Sequence, residues 1–139
     1  MKILFFAFCV LLIASCTNAG TTPEAVRKSF EQKFPNATNV KWVKENKHEY
    51  EANFEWNGVK HSANFLDSGE WLETESPIDF NDLPEMVQTS FNSNHKDAER
   101  KAVAKIETSK NMTKFEVEIK KGVKTVEYFY DQNGNKLNN

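Results

Sequence analysis

The stretch Glu49-Tyr50-Glu51-Ala52-Asn53-Phe54-Glu55-Trp56-Asn57-Gly58-Val59-Lys60-His61-Ser62-Ala63-Asn64-Phe65-Leu66 decides the fold. From Glu49 to Trp56 polar and apolar residues alternate without a fault, the period of a strand buried on one side. Asn57-Gly58 then supplies a two-residue hairpin turn, whose central residues need positive φ. So short a turn sets the register: Trp56 faces Val59, Phe54 faces His61, Ala52 faces Ala63 and Tyr50 faces Phe65. Those side chains share one face and predict a sheet covered on that side. Glu49, Glu51, Asn53, Glu55, Lys60, Ser62, Asn64 and Leu66 fall on the other.

Outward from the hairpin, the pattern repeats. Phe115, Val117 and Ile119 stand 65 residues beyond Tyr50, Ala52 and Phe54, and Tyr130, Gly134 and Leu137 stand as far beyond Phe65, Gly69 and Leu72. Val40 and Trp42 match Ala104 and Ile106 at an offset of 64, and Pro23-Glu24-Ala25-Val26 returns as Pro84-Glu85-Met86-Val87 at an offset of 61. The drift means a few extra loop residues, as expected of an old duplication.

Each unit opens with a helix. Val26, Phe30 and Phe34 make one apolar stripe, Thr22 is the expected N-cap, Pro23 suits the first turn and Pro35 ends it. Asp82 and Glu85 are expected to form a capping box ahead of Val87 and Phe91, with His95 standing where the first unit has Phe34. Short last strands are expected at Trp71-Leu72 and Lys136-Leu137. The prediction is an α+β domain over residues 22–139, built of repeats 22–80 and 81–139. Its single antiparallel sheet would have about eight strands, with two helices on one face.

The opposite face defines the candidate site. From the second repeat it takes Lys114, Glu116, Glu118, Lys120, Thr125, Glu127 and Phe129, and parity adds Trp71 beside Leu66. Glu49, Glu51, Glu55, Glu116, Glu118 and Glu127 outnumber the lysines, so the face is acidic with Leu66, Trp71 and Phe129 set into it. Aromatic anchors ringed by one sign of charge suit a protein or peptide partner of opposite sign, here a basic one. The parity of Trp42 and Trp56 places them in the core instead.

The chain starts with Lys2 and an unbroken apolar run from Ile3 to Ala14. At about 1.5 Å per residue this run spans roughly 18 Å, too short for a bilayer but right for an export signal. It ends in Leu12-Ile13-Ala14-Ser15-Cys16, which resembles a bacterial lipobox, so residues 1–15 read as a signal peptide of lipoprotein type and Cys16 as the acylated residue. Residues 16–21 are then a short tether, the only link to a membrane, and the protein faces the periplasm. Cleavage after Ala19 is the alternative; it would remove Cys16 and leave a secreted or periplasmic protein.

In 139 residues there are 18 Lys+Arg against 20 Asp+Glu, too even a balance for a nucleic-acid binder. Eleven Phe, 3 Trp and 3 Tyr exclude a disordered chain, and 2 Cys cannot make a disulfide framework or a multi-cysteine zinc site. His48, His61 and His95 lack metal-ligand spacing, and neither a nucleophile elbow nor a phosphate-binding glycine loop is present. No catalytic residue, metal ligand or cofactor is therefore assigned. Two other readings compete with partner binding: a small-ligand or cation-binding periplasmic protein, and a structural lipoprotein that self-associates through its sheet edge.

Lys28-Ser29-Phe30-Glu31-Gln32-Lys33-Phe34-Pro35-Asn36-Ala37 leading into Val40-Lys41-Trp42, with Phe115-Glu116-Val117-Glu118-Ile119 and Tyr128-Phe129-Tyr130-Asp131 before Gly134, resembles the PepSY-like, β-lactamase-inhibitor-like family. The likeness covers nearly all of residues 22–139. It implies a non-enzymatic envelope domain, an inhibitor or chaperone of an exported enzyme. Related PepSY domains occur in protease propeptides, and β-lactamase inhibitor proteins share the tandem helix-and-sheet build and grip their targets on the sheet face. The motifs that carry the likeness are structural, so no inhibitory residue transfers by position.

Overall fold

The hairpin forms as its alternation requires. Strands β2 (Glu49–Trp56) and β3 (Val59–Leu66) pair antiparallel from Trp56↔Val59 to Glu49↔Leu66. Asn57 and Gly58 close the turn at φ 52° and 78°. The structure, a computed structural model, describes residues 21–138. The expected export signal 1–15, the expected acylation residue Cys16 and the expected tether up to residue 20 lie outside the described residues.

Two compact units divide the chain. In the N-terminal unit (21–77 with 106–112), α1 (Glu24–Lys33) is followed by β1 (Thr38–Lys44), the hairpin and β4 (Trp71–Pro77). Val26, Phe30 and Phe34 bury the helix stripe on Tyr50, Ala52, Phe54, Ala63 and Phe65, with Trp42, Trp56 and Trp71 packed around them. Phe30 meets Phe54 edge-on at 4.8 Å between ring centres. Each fully buried side chain of this kind contributes about 1.5–3 kcal/mol, so the stripe holds the helix on the strands.

The C-terminal unit (78–105 with 113–138) repeats the plan. A 3-10 turn (Phe80–Asp82) leads into α2 (Glu85–His95), then β5 (Arg100–Thr108, of which residues 106–108 belong to the N-terminal unit), β6 (Thr113–Lys121) and β7 (Lys124–Asp131). Val87 and Phe91 of α2 pack with Leu83 on Phe115, Val117, Ile119, Tyr128 and Tyr130. The seven strands lie in the sheet in chain order, β1 to β7.

Three expectations need correction. The sheet has seven strands and not eight, because the last segment returns only as the isolated bridge Tyr130↔Lys136. Asp131 draws the amides of Asn133 and Asn135 onto its carboxylate at 2.8 and 2.9 Å, and this tight loop takes up the residues a strand would need. Neither helix has a side-chain cap: α1 and α2 start directly after Pro23 and Pro84, which are themselves extended. Thr22 lies buried one residue too early, and Asp82 belongs to the 3-10 turn. Trp71 is the third, because it packs on the helix side of its strand. Among the described residues, no helix is long and apolar enough to cross a membrane.

Candidate docking face

The face of the strands turned away from the helix is polar in each unit. In the N-terminal unit it carries Glu49, Glu51, Asn53 and Glu55 of β2, opposite Leu66, Asn64, Ser62 and Lys60 of β3. On β4, Glu73 and Glu75 stand opposite Asn64 and Ser62, and on β1 Lys41 and Val43 stand opposite Asn53 and Glu51. Leu66 is half-buried at the end of this surface.

The carboxylates here are held by asparagine amides. Asn46 and Asn64 donate to Glu49 at 2.9 and 3.2 Å, Asn53 to Glu51 at 2.5 Å, and Asn39 to Glu55 at 2.6 Å. An amide fixes a carboxylate's position without neutralising it. Glu45, in the β1–β2 turn, shows the consequence: burial first, then the charges of Glu51 and Glu49, push its carboxyl up to about 7. Glu51 is also raised, chiefly by burial and further by Glu49, against the hydrogen bond from Asn53 that lowers it.

The C-terminal unit differs. Glu116 lies opposite Phe129, Glu118 opposite Glu127, and Lys114 opposite Asp131. Burial raises the Glu118 carboxyl while Lys101 pulls it down. Glu99, exposed, is lowered by its ion pair with Lys101 and by Lys120. Carboxylate oxygens of Glu116, Glu118 and Glu127 come within 4.8 Å of one another and could offer three ligand atoms to a cation. Glu116 and Glu127 already have interaction partners, however, and no feature beyond the acidic groups themselves marks the cluster as a metal site.

Two candidates from the sequence do not offer the outer surface expected of them. Trp71 lies on the helix side and not on the outer face: it pairs with Phe65, packs in the core, donates its indole N–H to Thr74 at 2.9 Å and sits under the Lys33 ammonium at 3.5 Å. The register between β3 and β4 slips between Asn64 and Phe65, so that Leu72 is passed over and every residue before the bulge changes face. Glu116 keeps its outer position but is only 5 % exposed, so it offers almost no surface to a partner. Glu49, Glu51, Glu55, Leu66, Glu118, Glu127 and Phe129 remain half-exposed on the outer sides of their strands.

Glu45, Glu73 and Glu75 escaped the sequence reading. Glu73 and Glu75 could have been found, because Glu73-Thr74-Glu75 alternates like β2 and Thr74 is buried between them. Glu45 lies in an aperiodic turn and carries no such signal. The histidines serve structure: His48 Nδ1 is 2.8 Å from the Asp67 carboxylate, which it holds below the usual range. His61 stacks on Phe54 and bonds Ser76 Oγ at 3.0 Å, and His95 packs on Tyr128.

Helix-and-hairpin units with a carboxylate-studded outer sheet face define a class of small α+β modules, with no cleft of reactive groups among the described residues. The chain belongs to the putative β-lactamase-inhibitor-like, PepSY-like family, whose pattern matches residues 17–60 and 55–138. An inhibitor-like family of this kind implies a non-catalytic module. Among solved structures, a BLIP-like protein from Bacteroides fragilis is 26 % identical, with TM-score 0.68, over 85 % of this chain and 84 % of its own. A DUF2874 family protein from Bacteroides ovatus, 24 % identical over 85 % and 86 % of the two chains at TM-score 0.73, shares the fold. So does a protein from Bacteroides eggerthii described as a putative periplasmic protein, 19 % identical over 86 % and 88 % at TM-score 0.77. No curated protein matches the chain in sequence.

Proposed function

We propose that the chain is a non-enzymatic, exported module that binds a basic protein or peptide through the outer sheet face of its N-terminal unit. One observation carries this reading. Glu45, Glu49 and Glu51 crowd together, asparagine amides donate to Glu49 and Glu51, and Glu45 is pushed up to about 7 by burial and by its two neighbours. A cation from a partner would relieve that repulsion, and long-range attraction would speed the encounter. The β-lactamase-inhibitor-like family and the BLIP-like structure support protein binding in general. Glu55 and Leu66 extend the surface; Glu118, Glu127 and Phe129 offer a smaller counterpart in the C-terminal unit. Export and acylation at Cys16 would hold the module at an envelope membrane, facing the periplasm, and bring it to exported targets.

The test replaces Glu45, Glu49 and Glu51 together by Gln, which keeps the shape and one acceptor oxygen of each side chain but removes the charge. The full chain and this variant are used as crosslinking bait in an envelope extract of the host. A protein retained by the wild type, lost with the variant and released by salt, is the expected result. Equal capture by both proteins would remove this face as the site.

A further inference from the structure

Edge strand β1 carries a second surface along its unpaired edge, at the rim of the acidic face. Its regular part pairs Lys41↔Asn53, Trp42↔Ala52, Val43↔Glu51 and Lys44↔Tyr50. One step further on, the Glu45 amide donates to the Glu49 carbonyl at 3.0 Å, which makes Glu45 and Glu49 a hydrogen-bonded pair. Bonded and non-bonded pairs alternate along an antiparallel ladder. Val43 and Lys41 therefore spend their backbone groups on β2, while Trp42 and Lys44 aim N–H and C=O away from it. β1 is a terminal strand of the sheet, so these groups form a template for an added strand.

The side chains beside that template form a receptor. Trp42 lines a cleft of about 230 Å³ whose apolar floor is Phe30, Phe34, Ala37 and Val40 and whose rim is exposed Arg27, Glu31 and Asn36. An apolar cleft between a helix and an adjacent edge strand is what strand-adding peptide recognition uses: backbone bonds hold the peptide, and alternate side chains enter the cleft. Charge selects the occupant. From Thr38 to Lys44 the strand contains Lys41 and Lys44 and no acidic residue. Val43, 46 % exposed, lies between them. A second copy would bring the same lysines to the edge, whereas an acidic peptide complements them.

We propose that β1 accepts an extended segment of a partner protein as an added antiparallel strand, with acidic residues opposite Lys44 and Lys41 and apolar ones opposite Val43 and Trp42. Read along the peptide, the motif is acidic, aliphatic, aromatic, acidic. The aromatic side chain fills the cleft beside Trp42.

The probe is a blocked hexapeptide, Ser-Glu-Val-Phe-Glu-Ser, titrated into the isotope-labelled full chain and followed by amide NMR. Saturable shifts centred on Trp42, Val43 and Lys44 are expected, with slowed exchange of the Lys44 amide. Lys44→Pro removes an outward N–H without taking a bond from β2, and it should abolish binding. Lys44→Ala keeps that N–H and should weaken binding about fivefold through the lost charge pair, with the melting temperature unchanged. Equal binding by Lys44→Pro, equal binding of the peptide with Lys for both Glu, no saturable shift, or shifts centred on Glu49 and Glu51 would each overturn the proposal. So would a concentration-dependent dimer that Lys44→Pro dissolves, because the edge would then belong to a second copy.

Discussion

Gly69 lies so close to helix α1 that a Cβ placed on it would stand 2.7 Å from the carbonyl oxygen of Ala25. Gly134 makes the same approach to Met86 of α2, where a Cβ would come 2.7 Å from the carbonyl carbon and closer still to the oxygen. Ala25 and Met86 are equivalent in the repeat, and so are Gly69 and Gly134. In each unit a glycine in the turn after the hairpin lets the chain pass against the first turn of the helix. Both glycines also have positive φ, 89° and 79°.

Gly69→Ala should therefore cost more than a positive-φ glycine usually does. Backbone strain contributes about 1 kcal/mol, and the collision with immovable backbone adds to it, so a total loss of about 2–4 kcal/mol is expected. Gly58→Ala and Gly122→Ala are the controls, since both have positive φ but nothing within 4 Å of the added Cβ. They should lose only about 1 kcal/mol. Urea unfolding of the three variants separates strain from collision. Equal losses in all three would mean that the helix contact carries no energy.

Trp71→Ala tests the change of face at the β3–β4 bulge. Loss of a partly buried indole that packs against Phe65 and bonds Thr74 should lower stability by about 2–3 kcal/mol. It should leave binding to the outer face unchanged. Leu66→Ala should do the reverse, weakening capture of a basic partner at a cost of no more than about 1 kcal/mol in stability. Calorimetry beside the bait assay distinguishes the two.

Trp71 also marks where the sequence stops being legible. Alternation from Tyr50 to Trp56 and the Asn57-Gly58 turn fix the register of the first hairpin, and Phe115, Val117 and Ile119 do the same for the second, because period-two burial is written into the residue types. A bulge adds one residue to a strand without changing its composition, so parity counted across Gly69 assigns Trp71 to the wrong face. The reduced last strand has a similar cause: Lys136 and Leu137 alternate like a strand, but Asp131 decides the local path through its side chain. The candidate face was legible as a row of glutamates. Which of them are crowded depends on burial and on how the β1–β2 turn brings Glu45 towards Glu49 and Glu51, and Glu45 enters only through the fold.

Glu45 gives a pH dependence of definite sign. Its carboxyl is raised from 4.5 to about 7, so the folded protein binds this proton more tightly than the unfolded chain does. The stability contributed by the neutral carboxyl is full below pH 4.5 and is lost as pH rises to about 7. Glu45→Gln should remove that slope and be the more stable protein above pH 7, by no more than about 1 kcal/mol because the group is partly exposed to water. Melting curves from pH 4 to pH 8 provide the measurement. A wild type that loses nothing relative to Glu45→Gln over this range would show that the carboxyl group is not crowded.

His95 occupies the place in α2 that Phe34 holds at the end of α1. The ring of His95 lies 5.4 Å from Phe91 at 44°, and that of Phe34 lies 5.4 Å from Phe30 at 46°. The second helix thus keeps the aromatic geometry but puts a titratable ring against Tyr128, 4.2 Å between centres. Burial, with Lys121 and Lys136 nearby, holds the His95 imidazole below its usual value of 6.5. A depressed histidine gives stability that is present above pH 6.5 and lost as pH falls through the lower folded value. His95→Phe should abolish this acid-side loss and restore the apolar contact of the first unit, raising stability near pH 5 by a small margin because water screens much of the ring. The gain should shrink above pH 7, where the imidazole is neutral in both states. An equal gain at both pH values would assign the effect to packing alone and leave the charge without a part in it.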